Sequence, residues 1–188
     1  MKIDRKLYEL TPSQNVILLQ TKYTLWPKVV NIVFSASKKE DMDFDLLEKA
    51  FNLVVQRNDC LRIRFVKQKK QLMQYFLEEN EVTFENIERL SFDTKEEQEK
   101  FIDKVRSKAI KYMKGDQIIP YFIKTYDGQS MVLLKVNHIV LDIYGIDFIL
   151  NDLFKVYDAL VSNSELPEKP GKYEDVVIED LKRVQNEY

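Results

Sequence analysis

Ser130-Met131-Val132-Leu133-Leu134-Lys135-Val136 runs directly into Asn137-His138, and Ile139-Val140-Leu141-Asp142 then leads toward Gly145. Upstream, Asp127-Gly128 separates this run from another apolar one, Tyr121 to Tyr126. Asp-Gly between two such runs is a hairpin signal, because a tight hairpin turn needs positive φ and glycine takes it without steric cost. The segment reads as two antiparallel strands, a loop leaving the second strand, and a helix from about Gly145. Phe148, Leu150, Leu153, Phe154, Tyr157 and Leu160 supply that helix with a mostly one-sided apolar face.

Working outward, Thr11-Pro12-Ser13-Gln14 starts a helix: Thr11 as N-cap, Pro12 at the first helical position, Gln14 closing a capping box. Ile17, Leu18 and Leu25 give it apolar surface, and β-branched Val29 to Phe34 follows as a strand. From Asp43 to Asn58 a second helix aligns Leu47, Ala50, Phe51, Val54 and Val55 on one face. Leu61-Arg62-Ile63-Arg64-Phe65 alternates with period two, as a strand does, with both arginines on its polar side. Gln71 to Leu77 and Val82 to Leu90 are read as further strands. Thr94-Lys95-Glu96-Glu97 is a second capping box, opening a helix with Phe101, Ile102, Val105, Ala109 and Met113 and a stop at Gly115. Pro167, Pro170 and Gly171 mark Ser162 to Lys172 as a surface loop. A last helix starts near Tyr173 and still runs at Tyr188 without a stop signal, so the natural polypeptide is expected to continue. The order of elements predicts an α+β fold, a layered sandwich of helices on a mainly antiparallel sheet.

Composition narrows the function classes. The chain has 188 residues with 29 Lys+Arg against 31 Asp+Glu, a formal net charge of -2. That balance leaves no electrostatic footprint for nucleic acid. One cysteine excludes an internal disulfide and fits a reducing compartment. No secretory signal peptide and no stretch of eighteen apolar residues is present, so the expected address is the cytosol, away from membranes. The four glycines, at 115, 128, 145 and 171, cannot form a nucleotide-cradling G-x-G-x-x-G or G-x-x-x-x-G-K loop. One His and one Cys cannot build a familiar zinc site, and no metal is expected. Cys60 has apolar neighbours and reads as core rather than nucleophile. Lys67-Gln68-Lys69-Lys70 reads as a solvated turn.

His138 is the only histidine. It could be a strand-end residue held by a hydrogen bond and doing nothing more. Its place, where a strand gives way to a loop on a rigid scaffold, is also where functional side chains concentrate. An imidazole can take or give a proton near neutral pH. Asp142, four positions on, could orient the ring as a triad carboxylate does. The favoured alternative makes Asp142 a buried anion paired with a guanidinium, Arg62 or Arg64.

Four segments together resemble motifs of one family. Thr11-Pro12-Ser13-Gln14-Asn15-Val16-Ile17 is similar to Ser-x-Ala-Gln followed by Arg-Leu. Arg57-Asn58-Asp59-Cys60-Leu61-Arg62-Ile63-Arg64-Phe65 resembles Arg-His-Glu-x-Leu-Arg-Thr-x-Phe. Asn137-His138-Ile139-Val140-Leu141-Asp142-Ile143 resembles His-His-x-x-x-Asp-Gly, and Tyr173-Glu174-Asp175-Val176-Val177 resembles Tyr-x-Asp followed by aromatic and Ala. In this order they resemble the N-terminal lobe of a condensation domain from nonribosomal peptide synthetases, which has the chloramphenicol acetyltransferase-like fold. The lobe would span residues 1–188, with the C-terminal lobe outside this chain.

The resemblance implies an active site in the cleft between two lobes and amide-bond formation between thioesters on carrier proteins. His138 takes the place of the catalytic His, Asp142 that of the structural Asp, and Arg62 that of its ion-pair partner. Asn137 stands where the family has its first His and Ile143 where it has Gly, with Gly145 two positions on. The implied partners are carrier-protein domains and the C-terminal lobe. No cofactor is expected to bind directly, the substrates arriving on phosphopantetheine. The 188 residues alone are expected to be inactive and to leave an apolar face exposed. Two other readings stay open: a non-catalytic docking platform, which Asn137 and Ile143 would suit, and acyl transfer to a hydroxyl.

Overall fold

Thr11 starts the first helix by the bonds its motif requires. Its hydroxyl accepts from the Gln14 N–H, and the Gln14 side chain accepts from the Thr11 N–H. The computed structural model describes residues 4–24 and 30–186. The expectations at Leu25, Val29 and Tyr188 lie outside the described residues. The described elements run β1 (Tyr8–Glu9), α1 (Pro12–Tyr23), β2 (Asn31–Lys38), α2 (Phe44–Arg57), a 3₁₀ turn (Asp59–Arg62), β3 (Ile63–Gln68) and β4 (Gln71–Phe76). They continue with β5 (Glu88–Ser91), α3 (Lys95–Ser107), β6 (Ile118–Lys124), β7 (Ser130–Asn137), α4 (Ile143–Ser162) and α5 (Tyr173–Asn186).

The described strands form two sheets rather than one. The smaller has the order β1-β4-β3 and the larger β2-β7-β6-β5. Each of these pairings is antiparallel except β5 with β6. That parallel pair is joined through α3, since parallel neighbours need a crossover. The Asp127-Gly128 turn joins β6 to β7 as expected, with Gly128 at φ 81° and its N–H donating to Thr125 O.

All eight residues of β7 are buried, because helices cover both faces of the larger sheet. Val132, Leu134 and Val136 enter the main core with α2 and α4. Met131 and Leu133 face a second core with Val105, Phe101 and Ile102 of α3. Lys135 points to this second side, where its Nζ donates to Val105 O at 2.8 Å in the last turns of α3. Burial lowers its pKa, and the Lys108 charge adds to the effect. A cation near a helix C-terminus answers the negative end of the dipole. On α2, the five aligned residues Leu47, Ala50, Phe51, Val54 and Val55 are all buried.

Several boundaries differ from the sequence reading. Leu61 and Arg62 belong to the 3₁₀ turn, so the strand begins only at Ile63. Of the segment 82–90, only the part from Glu88 onward is strand; Val82 and Ile87 are buried from irregular backbone. Helix α3 stops at Ser107, short of Ala109 and Met113. Gly115 instead takes a left-handed φ of 62° in the turn that leads into β6. Phe148 does not join the buried face of α4 and is 51% exposed.

Candidate active site

Strand β7 ends at Asn137, and His138 is the first residue beyond it. The His138 N–H donates to Val30 O at 2.8 Å, which continues the β2–β7 edge by one bond and fixes where the ring emerges. The residue is half-buried. Its Nδ1 is buried and has no hydrogen-bond partner among the described residues, so Nε2 is the nitrogen left toward the surface. The imidazole is thus held through its backbone, not through a hydrogen-bonded orienting group.

Asn137 is 2% exposed. Its Oδ1 accepts from the Ile139 N–H at 3.2 Å and its C=O from the Val140 N–H at 3.0 Å, which closes the turn just after the strand. Gln117, at the foot of β6, accepts through its backbone O from the Asn137 N–H at 2.9 Å and through Oε1 from Asn137 Nδ2 at 3.3 Å.

Asp142 neither orients the imidazole nor pairs with Arg62. It is exposed and caps α4, with Oδ1 accepting from the Gly145 N–H at 2.8 Å. A solvated carboxylate at a helix N-cap is stabilised by the free N–H groups there and needs no cation. Arg62 is buried and satisfied by carbonyls instead: Val55 O at 2.7 Å, Gln56 O at 2.6 Å and Leu77 O at 2.9 Å. Two of these belong to the last turn of α2, whose partial negative charge suits a guanidinium. Arg64 pairs with Asp116.

A buried acid–guanidinium pair does exist, between other residues. Arg57 Nε lies 3.4 Å from Asp152 Oδ2, with side chains 8% and 9% exposed. Asp152 also accepts from Asn58 Nδ2 at 2.9 Å. Arg57 donates to Pro167 O and Glu168 O and so ties down the loop before α5. Asp59 then caps α5 from a distance, accepting from the Tyr173 and Glu174 N–H groups at 2.8 and 3.0 Å. The segment 57–62 is a bracket for α2, α4 and α5. Sequence reasoning missed Arg57–Asp152, the Asp59 cap and Gln117, because each partner lies far away in the chain.

Ile143 sits at the first helical position of α4 in ordinary right-handed backbone, 42% exposed, so a β-branched residue fits there without strain. Gly145 answers a different need. A Cβ there would lie 2.7 Å from Leu141 Cδ2, so a larger residue would make the end of the Leu141 side chain shift from the first turn of α4. Around this turn Tyr144 is 83% exposed, and on α1 Val16, Leu19 and Tyr23 also stand in solvent. Burial pushes the Cys60 thiol up to about 12, which keeps it protonated and unreactive. Among the described residues, no cluster of His, Cys, Asp and Glu could hold a metal ion, and no helix is long and apolar enough to cross a membrane.

Comparison with known proteins gives one answer. Tyrocidine synthase 3 of Brevibacillus parabrevis is 26% identical over 172 residues, covering 89% of this chain and 3% of that protein. Gramicidin S synthase 2 of Brevibacillus brevis is 27% identical over 173 residues, 85% of this chain and 4% of that protein. Among solved structures, the starter condensation domain of rhizomide synthetase RzmA superposes with a TM-score of 0.82 at 19% identity, covering 94% of this chain and 45% of that one. The first condensation domain of the calcium-dependent antibiotic synthetase, in complex with substrate analogue 2a, gives 0.78 at 17% identity, covering 88% of this chain and 40% of that one. The chain therefore spans less than half of these solved domains and a few per cent of the curated synthetases. The family model for the Condensation domain matches residues 4–187, and the chain belongs to that family.

Proposed function

We propose that the chain forms the N-terminal half of a two-lobed condensation site that makes an amide bond between carrier-bound thioesters. The observation that carries this reading is His138: a half-buried imidazole at the end of a fully buried strand, backbone-anchored to Val30, with Nε2 toward the surface. The coverage of solved relatives supports a second lobe, and so do the exposed apolar residues Ile143, Tyr144 and Phe148 on α4.

In the reaction, the acceptor's α-amine attacks the carbonyl carbon of the donor thioester. A C–N bond forms, the C–S bond breaks, and the departing thiolate receives the proton that the amine loses. A free α-amine has a pKa near 7.7–8, so a useful fraction is neutral at physiological pH and a strong base is not required. His138 Nε2 accepts the hydrogen bond from the attacking nitrogen and carries its proton toward the sulfur. Orienting the two phosphopantetheine arms supplies the larger share, about 7–11 kcal/mol for well-placed reactants. Carrier proteins are the partners, and the protein itself holds no cofactor in this scheme.

The test is His138→Ala in the chain assayed with its second lobe and two loaded carrier proteins. Product formation should drop by about 10²- to 10⁴-fold, the usual scale for general acid–base help. An unchanged rate would remove His138 from the reaction. Product with an alcohol acceptor and none with an amine would reassign the chemistry to ester formation.

A further inference from the structure

We infer that Gln117 is a positioning residue for the catalytic imidazole, acting through Asn137. This deepens the amide-forming reading and rests on it for its kinetic arm only.

Gln117 and Asn137 are each 2% exposed. Gln117 Nε2 donates to Tyr112 O at 3.2 Å and to Gly115 O at 3.0 Å, and Oε1 accepts from Asn137 Nδ2 at 3.3 Å. Asn137 Oδ1 accepts from the Ile139 N–H. These partners fix both amide orientations. A flipped Gln117 would point its oxygen at two carbonyls, and a flipped Asn137 would set its NH₂ against the Ile139 N–H. The result is a one-way relay: two carbonyls of the 112–115 turn hold Gln117, Gln117 holds Asn137, and Asn137 holds the turn on the far side of His138.

His138 sits in the middle of this clamp. Its own N–H is tied to Val30, and the residues on either side of it are tied by Asn137. Its buried Nδ1 has no hydrogen-bond partner among the described residues. Ring placement therefore depends on the backbone, and the two amides add side-chain bonds to the backbone bonds that hold it. The relay also accounts for asparagine at 137, since it supplies one donor toward Gln117 and one acceptor toward Ile139. A buried amide pair with its hydrogen bonds made specifies one arrangement, and losing one member strands the others.

The chain's single histidine makes the test direct, because histidine labelled with ¹⁵N gives one imidazole to observe. In Gln117→Met the His138 ring resonances should shift and split, while circular dichroism shows a folded chain. With the second lobe and loaded carriers present, kcat should fall by up to about 10²-fold with KM nearly unchanged, as for a misplaced reacting group. In Asn137→Asp the new carboxyl must be protonated to donate to Gln117 Oε1. The ring spectrum should therefore match the wild type at low pH and depart from it as pH rises through that carboxyl's pKa, which burial raises. A folded Gln117→Met chain with unchanged ring resonances would overturn the inference, as would Asn137→Asp with no such pH-dependent departure.

Side-chain amide exchange in the unaltered chain keeps the question open to measurement even if both variants unfold. The Gln117 and Asn137 NH₂ protons should exchange far more slowly than those of exposed Gln20, and equal rates would also overturn it. Absence of product with the wild-type chain and its partner lobe would defeat the amide-forming reading; the spectral and exchange results would still decide the positioning role.

Discussion

Residues 57–62 and residues 138–148 each begin where a regular element ends, α2 and β7, and they use their polar groups in opposite ways. In the first, Arg57, Asn58, Asp59 and Arg62 are all joined to protein partners, on α2, α4, the loop 163–172 and α5, and only the buried Arg57 Nε, 3.4 Å from Asp152, makes no hydrogen bond among the described residues. In the second, His138 Nδ1 meets no partner among the described residues, Asp142 faces solvent, and Ile143, Tyr144 and Phe148 present apolar surface. The first segment is a fastener. The second leaves the His138 ring uncommitted on a fixed backbone, as the proposed chemistry requires, because a side chain fully satisfied by the protein has nothing left for substrate.

Substitutions can break this contrast or sharpen it. The largest effect is expected at Asp152→Ala, which leaves the Arg57 guanidinium buried without its anion. Loss of one partner from such a pair costs about 3–5 kcal/mol, readable as a lower urea midpoint. Asp59→Ala removes only the distant cap of α5 and should cost about 1 kcal/mol. Amide exchange should speed up at Tyr173 and Glu174 first, and uniform exchange along α5 would show that the cap does not hold the helix.

A third effect is confined to alkaline solution. Burial pushes the Tyr173 phenol up to about 12 from its ordinary value near 10, with nearby carboxylate charges adding to it. Below pH 10 the phenol is neutral in the folded and unfolded chains alike, and its contribution is fully present. Between 10 and 12 only the unfolded chain ionises, so stability falls as pH rises. Tyr173→Phe should remove that part of the alkaline loss, and melting curves across this range would show it. The smallest effect on stability belongs to His138→Ala. The ring is half-buried and its Nδ1 is unpaired among the described residues, so the melting free energy should change by about 0.5 kcal/mol, the scale of surface substitutions. A large stability loss there would put His138 with the fasteners and dissolve the contrast.

Much of the architecture was legible in the sequence where the signal is local. Thr11 and Thr94 capped the helices they announced, Asp127-Gly128 turned its hairpin, and the apolar face of α2 matched residue for residue. Helix α3 was overextended because Ala109 and Met113 continued its apolar spacing, although its carbonyls meet Lys135 at Ser107's end of the helix. Val82 and Ile87 looked like strand because burial alone keeps them apolar.

The site was half legible. His138 could be placed because a strand ended there. Its supports could not, since Val30, Gln117 and Asn137 meet only once the sheet is assembled. The expectation that an acid must meet a guanidinium was sound chemistry applied to the wrong acid. Asp142 is solvated at a helix start, whereas Asp152, inside the apolar face of α4, is the carboxylate that burial leaves in need of one.

The pairing of β2 with β7 sets a timetable as well as a shape. Asn31 lies opposite Asn137 in that ladder, so an early strand waits for one made roughly a hundred residues later. Loop-closure entropy makes such distant pairings slow to form. On the ribosome, the bond from His138 to Val30 can close only after α1 to α3 and both strands of the central hairpin have emerged. The shelf that carries His138 is therefore among the last parts of the chain to set, and an incompletely synthesised chain holds its waiting edge open to other strands in the meantime.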